Sequence, residues 1–128
     1  MATKVVVSIP GEKPYDVRIG GGVLAGLGSH VRNACSIEGE GRALIITDSN
    51  VAPLYRDIAR DSLKEADLRV RDIVVPAGED SKSLSVLGEI WEAMAQLGFG
   101  RDCVVVALGG GVVGDLAGFV AATCMRGV

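Results

Sequence analysis

The stretch CVVVALGGGVVGDLAGFVAATC, residues 103–124, decides the fold. It runs from six apolar residues into Gly109-Gly110-Gly111 and on to a second apolar run whose one charge is Asp115. A hydropathy window over Cys103–Met125 reads as a candidate membrane span. The glycines oppose that: each costs about 1 kcal/mol against alanine inside a helix, and a mid-membrane aspartate adds about 2.5–3.5 kcal/mol. The physical alternative is a strand over Cys103–Leu108, the most apolar of the chain, a turn at the glycines, and a helix over Val112–Met125 with Asp115 near its start. Leu116, Ala117, Phe119, Val120, Ala121 and Ala122 make that helix apolar nearly all round, so it is expected to be buried, with its acid facing the glycine loop.

Working backwards, the same alternation repeats. Leu84, Leu87, Trp91, Met94 and Leu97 recur at helical spacing and predict an amphipathic helix with these residues on one face. Val70–Val75 is a strand closed by Pro76, and PAGEDSKS is the loop between the two. Arg42–Thr47 reads as a buried strand running into Asp48-Ser49-Asn50, a turn and cap signal, before a helix over about Val51–Ala66. Val23–Ala34 has helical spacing weakened by Gly26 and Gly28. Lys4–Ile9 and Tyr15–Ile19 are short β-rich runs around Pro10-Gly11, a hairpin with a long loop. Three strand–helix alternations behind a hairpin imply an α/β fold: a Rossmann-like parallel sheet with flanking helices. Neither an internal repeat nor a low-complexity linker interrupts the chain.

The 128 residues fit one domain and carry a net charge of −3 with no persistently basic window, which argues against nucleic acid as a partner. The amino-terminal apolar stretch is broken by Ser8 and Pro10 and lacks a signal-peptide pattern, so a cytoplasmic location is expected. Cys35, Cys103 and Cys124 form an odd set without C-x-x-C spacing and read as reduced thiols, two of them in the core. His30 is the one histidine. With no companion at ligand spacing, it is read as an exposed or capping residue, and the metal-ligand set is empty.

A strand, glycines and a helix suit an anion, because the backbone can approach a ligand whose charge meets the helix N-terminus. Residues 109–114 satisfy G-x-G-x-x-G, yet the motif falls late in the chain, where an ordinary Rossmann fingerprint belongs on the first strand. No G-x-x-x-x-G-K-[ST] occurs, which removes a P-loop. Tight packing of strand on helix explains the glycines equally well at this level. Asp115 has its own plain explanation as a dipole-favoured acid in the first helical turn. As a ligand group it suits a hydrogen-bond donor such as a ribose hydroxyl or carboxamide better than bare phosphate.

LGGGVVGDLAGFVAATCMRGV resembles the glycine-rich signature of the 3-dehydroquinate synthases. TDSNV (Thr47–Val51) resembles the turn after that family's first Rossmann-like strand, and PAGEDSKS (Pro76–Ser83) its G-E-x-x-K loop. Glycerol dehydrogenases and iron-dependent alcohol dehydrogenases share the architecture and a GGG loop, but G-D-L-A-G-F followed by R-G-V is similar to the synthase and its sugar-phosphate cyclase relatives. The resemblance implies that Asp48 and Asn50 lie beside bound NAD and that Glu79 and Lys82 bind its ribose and neighbouring polar groups. It also implies backbone contacts from Gly110, Gly111 and Val112 within the Gly109–Gly114 loop, Gly114 included, a polar contact from Asp115, and a substrate contact from Arg126. Chemically each fits: a carboxylate accepts from ribose hydroxyls, and a guanidinium grips carboxylate or phosphate with two prongs. The plainer roles remain open for each residue: Asp48 or Asn50 as a helix cap, Glu79 and Lys82 as a solvated pair, Arg126 as a surface charge.

The family reading further implies a lyase in the shikimate pathway of aromatic amino acid biosynthesis. It would convert 3-deoxy-D-arabino-heptulosonate 7-phosphate to 3-dehydroquinate and phosphate through transient redox by NAD, as a homodimer with a divalent metal, Zn or Co. Family enzymes are roughly three times this length and bind the metal in a helical second domain, so residues 1–128 are expected to be the NAD-binding domain, cut at its carboxyl edge, inactive alone and without tight binding of NAD. Two other readings stay open: another sugar-phosphate cyclase or metal-dependent polyol dehydrogenase, and a non-catalytic nucleotide-binding module.

Overall fold

The computed structural model describes residues 2–128. Its organising element is β3, Gly41–Asp48, in which Ala43, Leu44, Ile45, Ile46 and Thr47 are each 0% exposed. Such a continuous apolar run is what a central strand of a parallel sheet requires, since both of its faces are covered. It pairs in parallel with β4 (Leu68–Val75) on one side and β5 (Cys103–Leu108) on the other, giving the order β4-β3-β5. Register sets Asp48 beside Val75 and Thr47 beside Leu108, so the three strands finish level along one edge.

Alternate residues of β3 feed two cores. Leu44 and Ile46 pack with Leu87, Ile90 and Met94 of α3 (Leu84–Gln96) and with Val113, Leu116, Ala117 and Val120 of α4 (Gly111–Thr123). Ala43 and Ile45 pack on the opposite face with Ala59 and Leu63 of α2 (Ala52–Glu65), with Leu27 and Val31 of α1 (Leu27–Ala34) alongside. The chain therefore leaves β3 through α2 to reach β4, then crosses back through α3 to β5 on β3's other side. That reversal makes the exits of β3 and β5 the topological switch point of the sheet.

β1 (Thr3–Val7) and β2 (Tyr15–Ile19) form the expected antiparallel hairpin, a separate two-stranded sheet. Its tie to α1 includes a hydrogen bond from Lys13 Nζ to the Ala34 carbonyl at 3.1 Å. Val5, Val6, Tyr15, Val17 and Ile19 stay exposed.

Four expectations need correction. The helix expected over Val23–Ala34 is a 3-10 turn, Val23–Gly26, followed by α1. Gly28 belongs to the helix because α1 crosses α2 so closely that a Cβ there would lie 2.1 Å from the Ser62 carbonyl oxygen; its N–H donates to Ser62 Oγ at 3.0 Å. In α3 the buried stripe is Leu87, Ile90 and Met94, while Leu84, Trp91 and Leu97 are exposed, because the helix carries two apolar stripes and the sheet takes only one. The final α-helix stops at Thr123, and Met125 turns left-handed at φ 47° within a short 3-10 turn, Cys124–Arg126. Nor is α4 buried all round: it lies on one face of the sheet, which leaves Gly114, Asp115, Gly118 and Phe119 in solvent. Cys103 and Cys124 are buried and Cys35 exposed, as expected. No helix among the described residues is long and apolar enough to cross a membrane.

Candidate functional site

Three loops leave the level carboxyl edge of the sheet, and they carry most of the residues singled out from sequence. At the exit of β3, Asp48 Oδ1 accepts from the N–H groups of Asn50 at 2.9 Å and Val51 at 2.8 Å. This Asx-type turn swings the chain into α2, whose N-cap residue, Val51, has no side-chain oxygen to cap the helix itself. Asn50 is exposed at the tip. One residue back, the Thr47 hydroxyl is fully buried without a hydrogen-bond partner.

The loop after β4 is closely wound. Gly78 adopts φ 111°, a backbone conformation that side chains disfavour, and the chain then forms a 3-10 turn over Glu79–Ser81. Lys82 N–H donates to the Glu79 carbonyl at 3.0 Å, and Ser83 caps α3 by accepting from Val86 N–H at 3.2 Å. Glu79 is thereby presented to solvent and Lys82 is aimed towards α4.

After β5 the glycines divide in function. A Cβ on Gly109 would come within 2.9 Å of the Val113 side chain, so this glycine serves strand–helix packing. Around Gly110, Gly111 and Gly114 a Cβ would meet nothing within 4 Å. Packing alone therefore does not account for those three, and the backbone there is open to approach. Gly110, the N-cap of α4, is extended at φ −88° and ψ −157° and makes no side-chain capping bond. The first-turn N–H groups thus lack the usual side-chain oxygen.

Asp115 departs from expectation. It is neither buried nor in the first turn of α4: it follows Gly111 by one turn, and its side chain is 68% exposed. Beyond the first turn the helix dipole gives it little support. Its partner is Lys82, whose Nζ lies 2.7 Å from Asp115 Oδ2 and 3.7 Å from Glu79 Oε2. Asp115, as hydrogen-bond acceptor and opposite charge, raises the Lys82 pKa above its ordinary value, with Glu79 adding to the attraction. Lys82 and Asp115 line a shallow groove of about 280 Å³ together with the apolar Leu84, Leu87, Leu116 and Phe119. Wider clefts lie elsewhere, among them one of about 650 Å³ between the hairpin and α1 that includes His30.

The fold thus brings Glu79, Lys82 and Asp115 together across two loops, with Gly110–Val112 and the Asp48–Asn50 turn on the same edge. Arg126 is not with them. It follows the far end of α4, about 20 Å along the axis from Gly111 at 1.5 Å per residue, and is exposed with φ 68°. Two serines escaped the sequence reading as site elements. Ser49 N–H donates to the Val75 carbonyl and Ser49 Oγ accepts from Ala77 N–H, each at 3.0 Å. Ser81, 3% exposed, donates through Oγ to the Pro76 carbonyl. The Ser49 ties cross two separate motifs and follow from the strand register, whereas the Ser81 tie closes a ring within PAGEDSKS that only the folded loop shows. Among the described residues, no group of three or more His, Cys, Asp or Glu is placed to hold a metal.

Residues 72–128 match the family model described as 3-dehydroquinate synthase N-terminal. The 3-dehydroquinate synthase of Symbiobacterium thermophilum is 48% identical over 118 residues, covering 92% of this chain and 32% of that protein. That of Xanthomonas axonopodis pv. citri is 48% identical over 127 residues, covering 95% and 32%. The chain therefore spans about a third of the length of the curated relatives it matches. Among solved structures, a 2-deoxy-scyllo-inosose synthase complexed with carbaglucose-6-phosphate, NAD+ and Co2+ superposes with a TM-score of 0.83 at 25% identity, over 98% of this chain and 33% of that one. The 2-epi-5-epi-valiolone synthase ValA from Streptomyces hygroscopicus subsp. jinggangensis, solved with NAD+ and Zn2+, gives 0.68 at 30% identity, over 94% and 32%.

Proposed function

We propose, from the likeness of this chain to the 3-dehydroquinate synthases, that it belongs to that family, that it is the NAD-binding domain of such an enzyme and that the carboxyl edge of its sheet is the cofactor cradle. The observation that carries this reading is the open backbone at Gly110 and Gly111, with the ion-paired Lys82 and Asp115 alongside. Uncapped N–H groups at the start of α4 favour the negative charge of a pyrophosphate. Glu79, exposed and acceptor-only when ionised, suits ribose hydroxyls. Lys82 donates to an oxygen of the cofactor or its ribose while Asp115 fixes the direction of its ammonium. Asp48 and Asn50 close the other side of the crevice, and the packing of Gly109 on Val113 sets the height of the loop.

The whole enzyme would convert 3-deoxy-D-arabino-heptulosonate 7-phosphate to 3-dehydroquinate with release of phosphate. NAD would supply reversible hydride chemistry at a secondary hydroxyl, with no net oxidation. Within this chain the work is binding and orientation. Arg126, remote from the cradle, would grip a carboxylate or phosphate of the substrate rather than the cofactor. The divalent metal, Zn or Co, would take its ligands from outside the described residues, and the homodimer and cytoplasmic location belong to the same proposal. Identities of 48% to named 3-dehydroquinate synthases, against 25% and 30% to the two other cyclases, favour this substrate over theirs.

Calorimetric titration of the chain with NAD tests the cradle. Saturable binding that Asp115→Asn and Lys82→Met each weaken, with unchanged circular dichroism, is the expected result. A folded chain that takes up no NAD would remove the reading of this domain as a cradle sufficient for binding.

A further inference from the structure

The cradle's polar groups are exposed and sit on a loop, yet they stand in one arrangement. Something must hold Pro76–Lys82 where Glu79 and Lys82 reach the start of α4. Two serine hydroxyls do so, one at each end of the loop.

The β3–β4 ladder finishes where Asp48 lies beside Val75. Ser49 N–H continues it by one bond, to the Val75 carbonyl at 3.0 Å. In a regular parallel ladder the next donor, Ala77 N–H, would find the main-chain carbonyl of residue 49. Here the chain is already turning through Asp48-Ser49-Asn50, and Ser49 Oγ takes that donor instead at 3.0 Å. Pro76, between the two bonds, has no N–H to contribute. A side-chain oxygen thus replaces a ladder carbonyl, letting β3 turn away while the strand beside it is held one residue longer.

At the other end Ser81, 3% exposed, donates through Oγ to the Pro76 carbonyl and draws the loop into a ring. Inside the ring Ser81 N–H bonds the Gly78 carbonyl at 3.2 Å, and Lys82 N–H bonds the Glu79 carbonyl at 3.0 Å. Lys82 leaves this ring directly towards Asp115, 2.7 Å away.

We propose that Ser49 and Ser81 are positioning residues of the cradle: their hydroxyls latch the Pro76–Lys82 loop to the β3 turn and to itself, and so fix Glu79 and Lys82 for the ribose side of the dinucleotide. The assignment to a dinucleotide rests on the NAD reading above; the latch does not. Neither serine needs to touch the cofactor. Ser49 is exposed, so losing its hydroxyl leaves the core intact, which separates positioning from folding.

The test is residue-resolved amide exchange in the NAD-free chain beside NAD titration of the same samples, for the wild type, Ser49→Ala, Ser49→Thr and Ser81→Ala. Ser49→Ala is expected to speed exchange at Ala77 and to weaken NAD binding, each by about fivefold, the loss of one ordinary hydrogen bond. Ser49→Thr, which keeps the hydroxyl, is expected to restore both, and in Ser49→Ala the melting temperature should fall by only a few degrees, the shift one hydrogen bond carries. Ser81 is buried and its removal loosens the fold as well, so Ser49 carries the decision. Unchanged exchange at Ala77 in Ser49→Ala, or equal behaviour of the alanine and threonine variants, overturns the latch. A wild type that takes up no NAD instead overturns its cofactor role, while the exchange data still decide the latch.

Discussion

Beneath the carboxyl edge of the sheet, Leu44, Ile45 and Ile46 are 0% exposed, whereas along that edge Glu79 and Asp115 keep 78% and 68% of their side-chain surface in solvent. The first region lies on β3 and the second on the loop after β4 and on α4, and they obey different physics. Below, burial of apolar surface fixes position, and any lost methylene is felt because the interior is close-packed. Above, position comes from hydrogen bonds across loops and from an ion pair that water screens, so the groups stay available to a ligand at little gain in stability. A change in the floor should therefore unfold the chain, and a change in the rim should alter binding while the fold persists.

The largest effect is expected at the floor. Ile46→Ala removes a fully buried side chain between β3 and the α3–α4 layer and should cost about 2–5 kcal/mol of stability, read from urea unfolding. Next comes the α1–α2 crossing, where the Cβ of Gly28→Ala would meet the Ser62 carbonyl oxygen at 2.1 Å. Relief requires the helices to part, a cost of about 1–3 kcal/mol. The same substitution on the rim should invert the sign. Gly111→Ala places its Cβ in open space at the first position of α4, so stability should hold or rise by up to about 1 kcal/mol while NAD affinity falls. If Gly111→Ala unfolds the chain as Gly28→Ala does, the division between floor and rim is wrong.

The smallest effect concerns the Lys82–Asp115 pair. Lys82 titrates above the ordinary lysine value of 10.5, so the pair's contribution is complete below that value and is lost only as pH rises through the raised one. Lys82 should therefore impose no pH dependence on stability near neutrality. Its ε-carbon resonance, followed by NMR into strong alkali, should titrate later than that of a free lysine, and Asp115→Asn should bring it earlier. Cysteines sharpen the contrast chemically. Burial, with Cys124 and Asp102 nearby, pushes the Cys103 thiol up to about 11, so a thiol reagent at neutral pH should label Cys35 alone in the native chain.

How much of this was legible in the sequence follows the same division. RALIIT at Arg42–Thr47 reads as a buried strand and CVVVAL at Cys103–Leu108 as the most apolar one; both are strands, the first buried and the second, at the end of the β4-β3-β5 order, buried only at Cys103 and Val106. The face expected of α3 is right at Leu87 and Met94 but not at Leu84, Trp91 and Leu97, because these are as apolar as the buried Ile90 and only the docked sheet chooses between them. α4 was read as wholly buried for a related reason: its composition is apolar, but a three-stranded sheet covers one side of it. At the rim, residue types and loop order point to the proposed cradle, since GGG, Glu79, Lys82 and Asp48 lie on recognisable motifs. Their pairings were not legible. Lys82 and Asp115 are 33 positions apart, and Ser49 meets Ala77 only because the parallel register aligns Asp48 with Val75.

The central claim is that the carboxyl edge of the sheet, at the switch between β3 and β5, receives NAD. Backbone amide shift mapping of the isotopically labelled chain during NAD titration tests it most directly. The account predicts that the shifts concentrate at Asp48–Asn50, Glu79–Lys82 and Gly110–Val112, with the hairpin and α1 silent. Shifts centred instead on the cleft between the hairpin and α1, or saturation that leaves Gly110–Val112 unmoved, would contradict it.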